Sequence, residues 1–328
     1  MRMKLAGLFV VVILALGAAG FFAVQMWLPV QPQGPVLLVI APGTSTHGIA
    51  RQLEKQGVIR SALMFRILSR LNGDAQELQS GEYRFESAAT LPQIMQRLRR
   101  GDVVLHRVTI AEGLRSDEVL AQLAEQTQTP LQRWQEAYRQ ILAGSQGVKD
   151  GEGLLLPETY TYRRPVDARA LLIDMLTAQH DLLQTLVPSW LDVKGLRIVA
   201  SIIEKETALD AERPLIAAVI RNRLARHMAL QMDPTVIYGL WREDGGFSGN
   251  LHKGDLQRDT PWSSYTRKGL PPTPICNPGA ASLRAAARPA DVDYLYFVAD
   301  GSGGHAFAAT LEEHNANVRR WMRVERQR

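Results

Sequence analysis

From Leu5 to Leu28 the chain runs through 24 residues without a charged side chain, and Gln25 is the only strongly polar one among them. As a helix this stretch is roughly 36 Å long, enough to cross the hydrocarbon core of a bilayer. A cleaved signal peptide competes with that reading, because Ala18, Ala19, Gly20 and Ala23 offer the small residues a peptidase accepts. A signal core is only about 7–15 apolar residues. Here the run continues through Phe21, Phe22, Val24, Met26 and an interfacial Trp27, so an uncleaved anchor over 5–28 is expected. Arg2 and Lys4 precede it with no acidic residue, which leaves residues 1–4 in the cytoplasm and exports the rest.

The remainder reads as globular: 328 residues, 46% hydrophobic and 22% charged, are enough for two or three domains. A net charge of +5 suits an anionic polymer or a membrane surface, but the basic residues are scattered and nucleic acid is not expected as a partner. The single cysteine, Cys276, has no internal disulfide partner, and the seven histidines show no ligand spacing, so neither metal nor cofactor is expected. Gln31-Pro-Gln-Gly-Pro35 makes a short linker from the membrane. Two similar units come next, each a strand, a Gly turn and a helix: Val36–Ile40 with a helix over 46–56, and His106–Ile110 with a helix over 116–125. Between them a helix over 61–71, a strand over 81–85 and a helix over 91–100 ended by Gly101 are expected. These modules resemble LysM-type glycan-binding units, and a small packing module explains them equally well. Turn-rich sequence at 143–147 and 150–153 marks a boundary, giving a 29–147 region and a 148–328 domain.

Within that last domain, Leu196 to Thr207 reads as a helix. On its wheel Glu206 falls on the apolar arc among Leu196, Val199, Ile202 and Ile203, while Arg197, Ser201, Glu204 and Lys205 fall opposite. Desolvation disfavours ionisation of a core-facing carboxyl and raises its pKa toward the range of a general acid. A salt-bridged or solvated Glu near a helix end is the plainer alternative. Glu204, on the polar arc, is expected to face solvent and to be replaceable. Asn222 sits on the core face of the next helix, where it either bonds a backbone carbonyl or lines a polar pocket beside Glu206. Asp233 is expected to cap a helix with Pro234 at its first position, which leaves Gln231 and Thr235 without a structural explanation. The proline-rich run 269–279, following Tyr265, reads as a stiff loop with fixed amides and carbonyls suited to sugar recognition. Tyr294–Ala299 and His305–Ala308 make a hairpin in which His305 lines a cleft or, by default, faces outward, and a helix over 311–323 closes the chain.

Ala200-Ser-Ile-Ile-Glu-Lys-Glu-Thr-Ala208, Asn222-Arg-Leu224, Gln231–Gly239, Gly269-Leu-Pro-Pro272, Asn277-Pro-Gly279 and Tyr294–Gly301 together resemble the endolytic murein transglycosylases, the MltG or YceG-like family. The resemblance implies an α+β protein with an N-terminal transmembrane helix, a LysM-like region and a C-terminal catalytic domain. It implies a single-pass protein of the inner membrane with its catalytic domain in the periplasm. It implies cleavage of the β-1,4 bond between N-acetylmuramic acid and N-acetylglucosamine in peptidoglycan, leaving 1,6-anhydro ends, beside cell-wall synthases such as penicillin-binding proteins. Glu206 takes the place of the catalytic residue. Asn222, Gln231, Asp233, Thr235 and Tyr265 become substrate-binding candidates, with Asp233 a second carboxylate that is not the nucleophile because the substrate's N-acetyl group serves instead. A hydrolytic muramidase and a non-catalytic peptidoglycan-binding scaffold are the alternatives.

Overall fold

The computed structural model of the protein describes residues 2–73, 77–145, 150–186, 190–247 and 249–326, with the backbone alone at positions 2–8, 10 and 11. The chain divides into two compact units, Met1–Arg107 with Thr161–Asp167, and Val108–Tyr160 with Ala168–Arg328.

In the first unit, α1 (Arg2–Trp27) presents its described apolar side chains outward, Phe9, Leu14, Leu16 and Trp27 among them. Among the described residues no helix is long and apolar enough to cross a membrane. The charged positions Arg2 and Lys4 lie outside the described side chains. Beyond α1, Arg60 ties the chain down by donating to the carbonyls of Leu28 and Pro29. β1 (Val36–Ile40), α2 (Thr46–Lys55), α3 (Ala62–Asn72) and β2 (Gly81–Phe85) come next in order, then α4 (Leu91–Arg100). β1 and β2 pair antiparallel with Val36 opposite Phe85 and Ile40 opposite Gly81. Local chemistry sets the boundaries. Ser45 Oγ accepts from Gly48 N at the start of α2, Thr90 and Gln93 form a capping box on α4, and Gly101 ends α4 in the left-handed region at φ 66°. Leu53, Phe65, Tyr83, Phe85, Ile94 and Leu98 close the core of this unit, each contributing roughly 1.5–3 kcal/mol by leaving water.

β3 (Leu105–Thr109) and β4 (Thr159–Arg163) form a second two-stranded sheet, and the division between units falls within both strands. The two strand–Gly–helix units seen in the sequence are therefore alike only locally. Ile49, Leu53, Leu120 and Leu123 are all buried, but β1 finds its partner after two helices and β3 after two different ones.

The second unit contains α5 (Ser116–Thr127), α6 (Leu131–Gly144), α7 (Ala168–Thr185), α8 (Val193–Glu206), α9 (Arg213–Ala225), α10 (Asp233–Asp244), α11 (Ala280–Ala287), the hairpin β5 (Tyr296–Ala299) and β6 (His305–Ala308), and α12 (Leu311–Glu325). Residues 146–149, where the sequence suggests a boundary, lie outside the described residues; the compact unit itself begins at Val108. Hydrogen bonds join the start of α5 to the segments around Glu152 and Asn277. Ser116 donates from N and Oγ to Glu152 at 2.9 and 3.0 Å, and Asn277 links Leu114 O (3.0 Å) to Leu155 N (2.9 Å). Glu152 is buried by this contact, and desolvation pushes its pKa up to about 7 against the hydrogen bonds that favour its anion. The main core gathers Leu196, Val199, Ile202 and Ile203 of α8 with Ile216, Val219 and Ile220 of α9 and Leu283 of α11.

Candidate active site

α8 starts where Asp192 accepts from Gly195 N at 2.7 Å and stops at Thr207, whose extended backbone breaks the repeat. The apolar arc named by the sequence is buried, with Leu196, Val199, Ile202 and Ile203 all at 0% exposure. Glu206, one to three turns on from these residues, comes to the wall of a cleft of about 200 Å³. Arg223, Gln231, Asp233, Tyr265 and Phe297 share that cleft. Burial pushes the Glu206 carboxyl up to about 8, and the negative charge of Asp233 adds to the shift. At neutral pH Glu206 therefore holds a proton.

Asp233 does not cap α10. Met232 occupies the cap position, with its N–H held by Ser264 Oγ at 2.9 Å, and Asp233 is the first helical residue. Its carboxylate accepts from the Tyr265 hydroxyl at 2.5 Å. Desolvation and this bond to Asp233 both raise the Tyr265 pKa, so its phenol stays a donor. Gln231 reaches the cleft from a strained backbone, φ 53°, fixed by Gln231 N to Ser264 O at 3.0 Å. Arg223 secures the same turn. Its guanidinium donates to Ala229 O (3.1 Å), Leu230 O (2.7 Å), Gln231 Oε1 (3.2 Å) and Leu295 O (2.6 Å), which binds the cleft wall to the residue before β5. Sequence reasoning missed Arg223; a basic residue on the core side of α9, next to Asn222, was the available signal.

Two of the sequence candidates lie elsewhere. Asn222 Nδ2 donates to the carbonyls of Val292 (2.8 Å) and Tyr294 (3.0 Å), so the backbone-bonding alternative is the one realised. Thr235 is fully buried, with its hydroxyl donating to Met232 O at 2.7 Å and facing Ser264 Oγ at 2.8 Å. Glu204 also differs from expectation. Its side chain is 7% exposed, lies 3.8 Å from Arg213 and accepts from Gly279 N at 2.9 Å, because the 275–279 segment covers the arc of α8 that the wheel leaves polar. Ser201 on that arc accepts from Ile275 N at 3.0 Å. The proline-rich loop thus commits these backbone groups to the protein interior, where the sequence suggested sugar contacts; Pro274 to Gly279 are buried.

His305 is neither free in the cleft nor an outward strand residue. Its N–H donates to Glu212 Oε1 and its Nδ1 faces Glu212 Oε2, both at 2.7 Å, while Thr207 Oγ1 donates to Glu212 Oε2 at 2.9 Å. Burial alone would raise Glu212, but the bonds from His305 and Thr207 outweigh it and hold the carboxylate below its usual range. The residue after Glu206 is thereby fixed to the hairpin.

The raised Glu206 pKa makes stability depend on pH. Its folded value lies above the ordinary 4.5, so the stabilising protonated form is fully present below 4.5 and is lost as pH rises through about 8. Glu206→Gln removes that loss. Between pH 6 and 9 the melting temperature of the wild-type chain is expected to fall relative to Glu206→Gln by roughly 5 °C, as read by thermal scans at each pH; parallel curves would contradict it.

Residues 38–320 match the profile described as the YceG-like family. An endolytic murein transglycosylase of Bacillus subtilis is 30% identical, over 92% of this chain and 89% of its own length. An endolytic murein transglycosylase of Streptococcus pneumoniae is 27% identical over 94% of this chain, which spans 64% of that protein. A crystal structure of a yceG-like protein from Listeria monocytogenes is similar with a TM-score of 0.55 at 32% identity, covering 86% of this chain and 98% of that one.

Proposed function

The chain belongs to the YceG-like family, and from that premise we propose that it is a peptidoglycan lytic transglycosylase with Glu206 as its acid and base. The observation that carries the proposal is a half-buried carboxyl, its pKa pushed up to about 8, on the wall of an open cleft. On this reading the Glu206 proton passes to the oxygen linking N-acetylmuramic acid to N-acetylglucosamine, and the C1–O bond breaks. The resulting carboxylate then takes the proton of the muramoyl C6 hydroxyl, whose oxygen closes on C1. The proton returns to Glu206, no water enters, and a 1,6-anhydro end remains. The charge of Asp233 favours both halves: it raises the acid's pKa before the first step and makes the carboxylate a stronger base in the second. That Gln231, Asp233 and Tyr265 line the cleft supports giving them the contacts to sugar hydroxyl and acetamido groups, and the bonds of Asn222 and Thr235 to the protein weigh against that role for those two.

Residues 5–28, whose side chains at 5–8, 10 and 11 lie outside the described ones, anchor the chain as a single inner-membrane span with the working unit in the periplasm, where glycan strands are extended; the uncharged sequence of this stretch and the outward apolar side chains at Phe9, Leu14, Leu16 and Trp27 support this. The β1-α2-α3-β2 unit, closed about its own core, serves as the LysM-like glycan contact. Mass spectrometry of products from purified peptidoglycan tests the reaction. Ends lighter by one water than reducing ends support the lytic route; reducing ends would make the protein a muramidase, and intact glycan would leave the scaffold reading.

A further inference from the structure

A second cavity of about 370 Å³ lies beside the Glu206 cleft. Lys205 and Pro234 line it, and their chain neighbours Glu206 and Asp233 line the cleft, so the same end of α8 and the same start of α10 border both. Leu114, Ile237, Trp241 and Ile275 give it apolar walls, with Arg115, Glu118 and Lys205 as its charged groups. Two of those charges are already matched. Arg115 pairs with Glu118 at 2.9 Å and Asp117 at 3.1 Å, and its guanidinium lies 3.9 Å from the centre of the Trp241 ring. That stacking covers a Trp241 face on which a sugar ring would otherwise rest.

Lys205 differs. Its ammonium donates to Gly113 O at 3.3 Å, and no carboxylate among the described residues pairs with it. The side chain is exposed and passes over the backbone of Gly113, which is at φ 75°. The cavity therefore combines apolar walls with one accessible cation at its rim, which fits a short methyl-bearing chain that carries a carboxylate. We propose that this cavity binds the peptide substituent of the glycan, with Lys205 pairing a peptide carboxylate while the sugar that bears the peptide occupies the Glu206 cleft. The proposal rests on the lytic reading above, since that reading supplies a substrate with an acidic, alanine-containing peptide on the sugar whose bond is broken.

The test compares the full chain on two substrates, peptide-bearing glycan and the same strands stripped of peptide by an amidase. The wild-type chain is expected to prefer the peptide-bearing strands. Lys205→Met, which keeps the aliphatic stem, is expected to lower the ratio of kcat/KM between the two substrates about tenfold, and Lys205→Arg to restore it. An equal loss on both substrates, or no loss on either, would overturn the proposal. If the wild-type chain cleaves neither substrate, the lytic reading fails, and calorimetry with isolated stem peptide still decides the cavity: binding lost in Lys205→Met supports it, and absence of binding to the wild-type chain overturns it.

Discussion

Glu206→Gln is expected to lower glycan cleavage by about 10³-fold or more while leaving glycan binding in place. The substitution preserves shape and removes the carboxyl that desolvation and the charge of Asp233 keep protonated on the cleft wall. It also removes a carboxylate whose ionisation opposes folding, so the variant keeps or gains stability near pH 8. Loss of activity with a raised melting temperature thus separates a chemical role from a structural one. Asp233→Asn provides the contrast. It lowers the Glu206 pKa by removing the like charge, and it leaves an acid in place, so its effect is smaller than that of Glu206→Gln. Turnover of purified peptidoglycan by the three chains measures the order; equal losses at both positions would contradict it.

Arg223→Ala carries the largest expected effect on stability. Arg223 is 7% exposed, and its removal leaves the carbonyls of Ala229, Leu230 and Leu295 without their charged donor. Breaking a buried charged network of this kind costs about 3–5 kcal/mol. The damage falls on the turn that holds Gln231 in the left-handed region and on the approach to β5, so activity falls with stability. Arg223→Lys recovers little, because a single ammonium cannot donate in both directions as the planar fork does. Urea unfolding followed through the fluorescence of Trp241 and Trp262 reads the change; a loss below about 1 kcal/mol would show that water replaces the guanidinium.

The features legible in the sequence were local in origin. The position of Glu206 comes from Leu196, Val199, Ile202 and Ile203 at helical spacing on its own helix, and the same periodicity located α2, α4 and α12. The turn residues after Val298 located the β5–β6 hairpin. The burial of Glu204 was not legible, because its cover comes from Gly279, 75 residues later. Arg223 was hidden for the same reason: its partner Leu295 is 72 residues away, and only the folded hairpin turns an ordinary helix arginine into an interior pin. Asn222 and Thr235 show a different limit. A polar residue on a core face signals that a partner exists, but backbone carbonyls satisfied both, and sequence cannot tell a carbonyl from a substrate. Repeat-like strands misled in their turn, since strand pairing is chosen by distant residues and β3 closes on β4 across α5 and α6.

The proposed chemistry needs Glu206 to carry its proton at neutral pH, as its pKa of about 8 implies. Difference infrared spectroscopy, subtracting Glu206→Gln from the wild-type chain across a pH series, follows its carbonyl stretch directly. A protonated band that persists through neutrality and disappears near pH 8 is the predicted result. A band that disappears near the ordinary value of 4.5 would rule out Glu206 as the acid, because it would then have no proton to give.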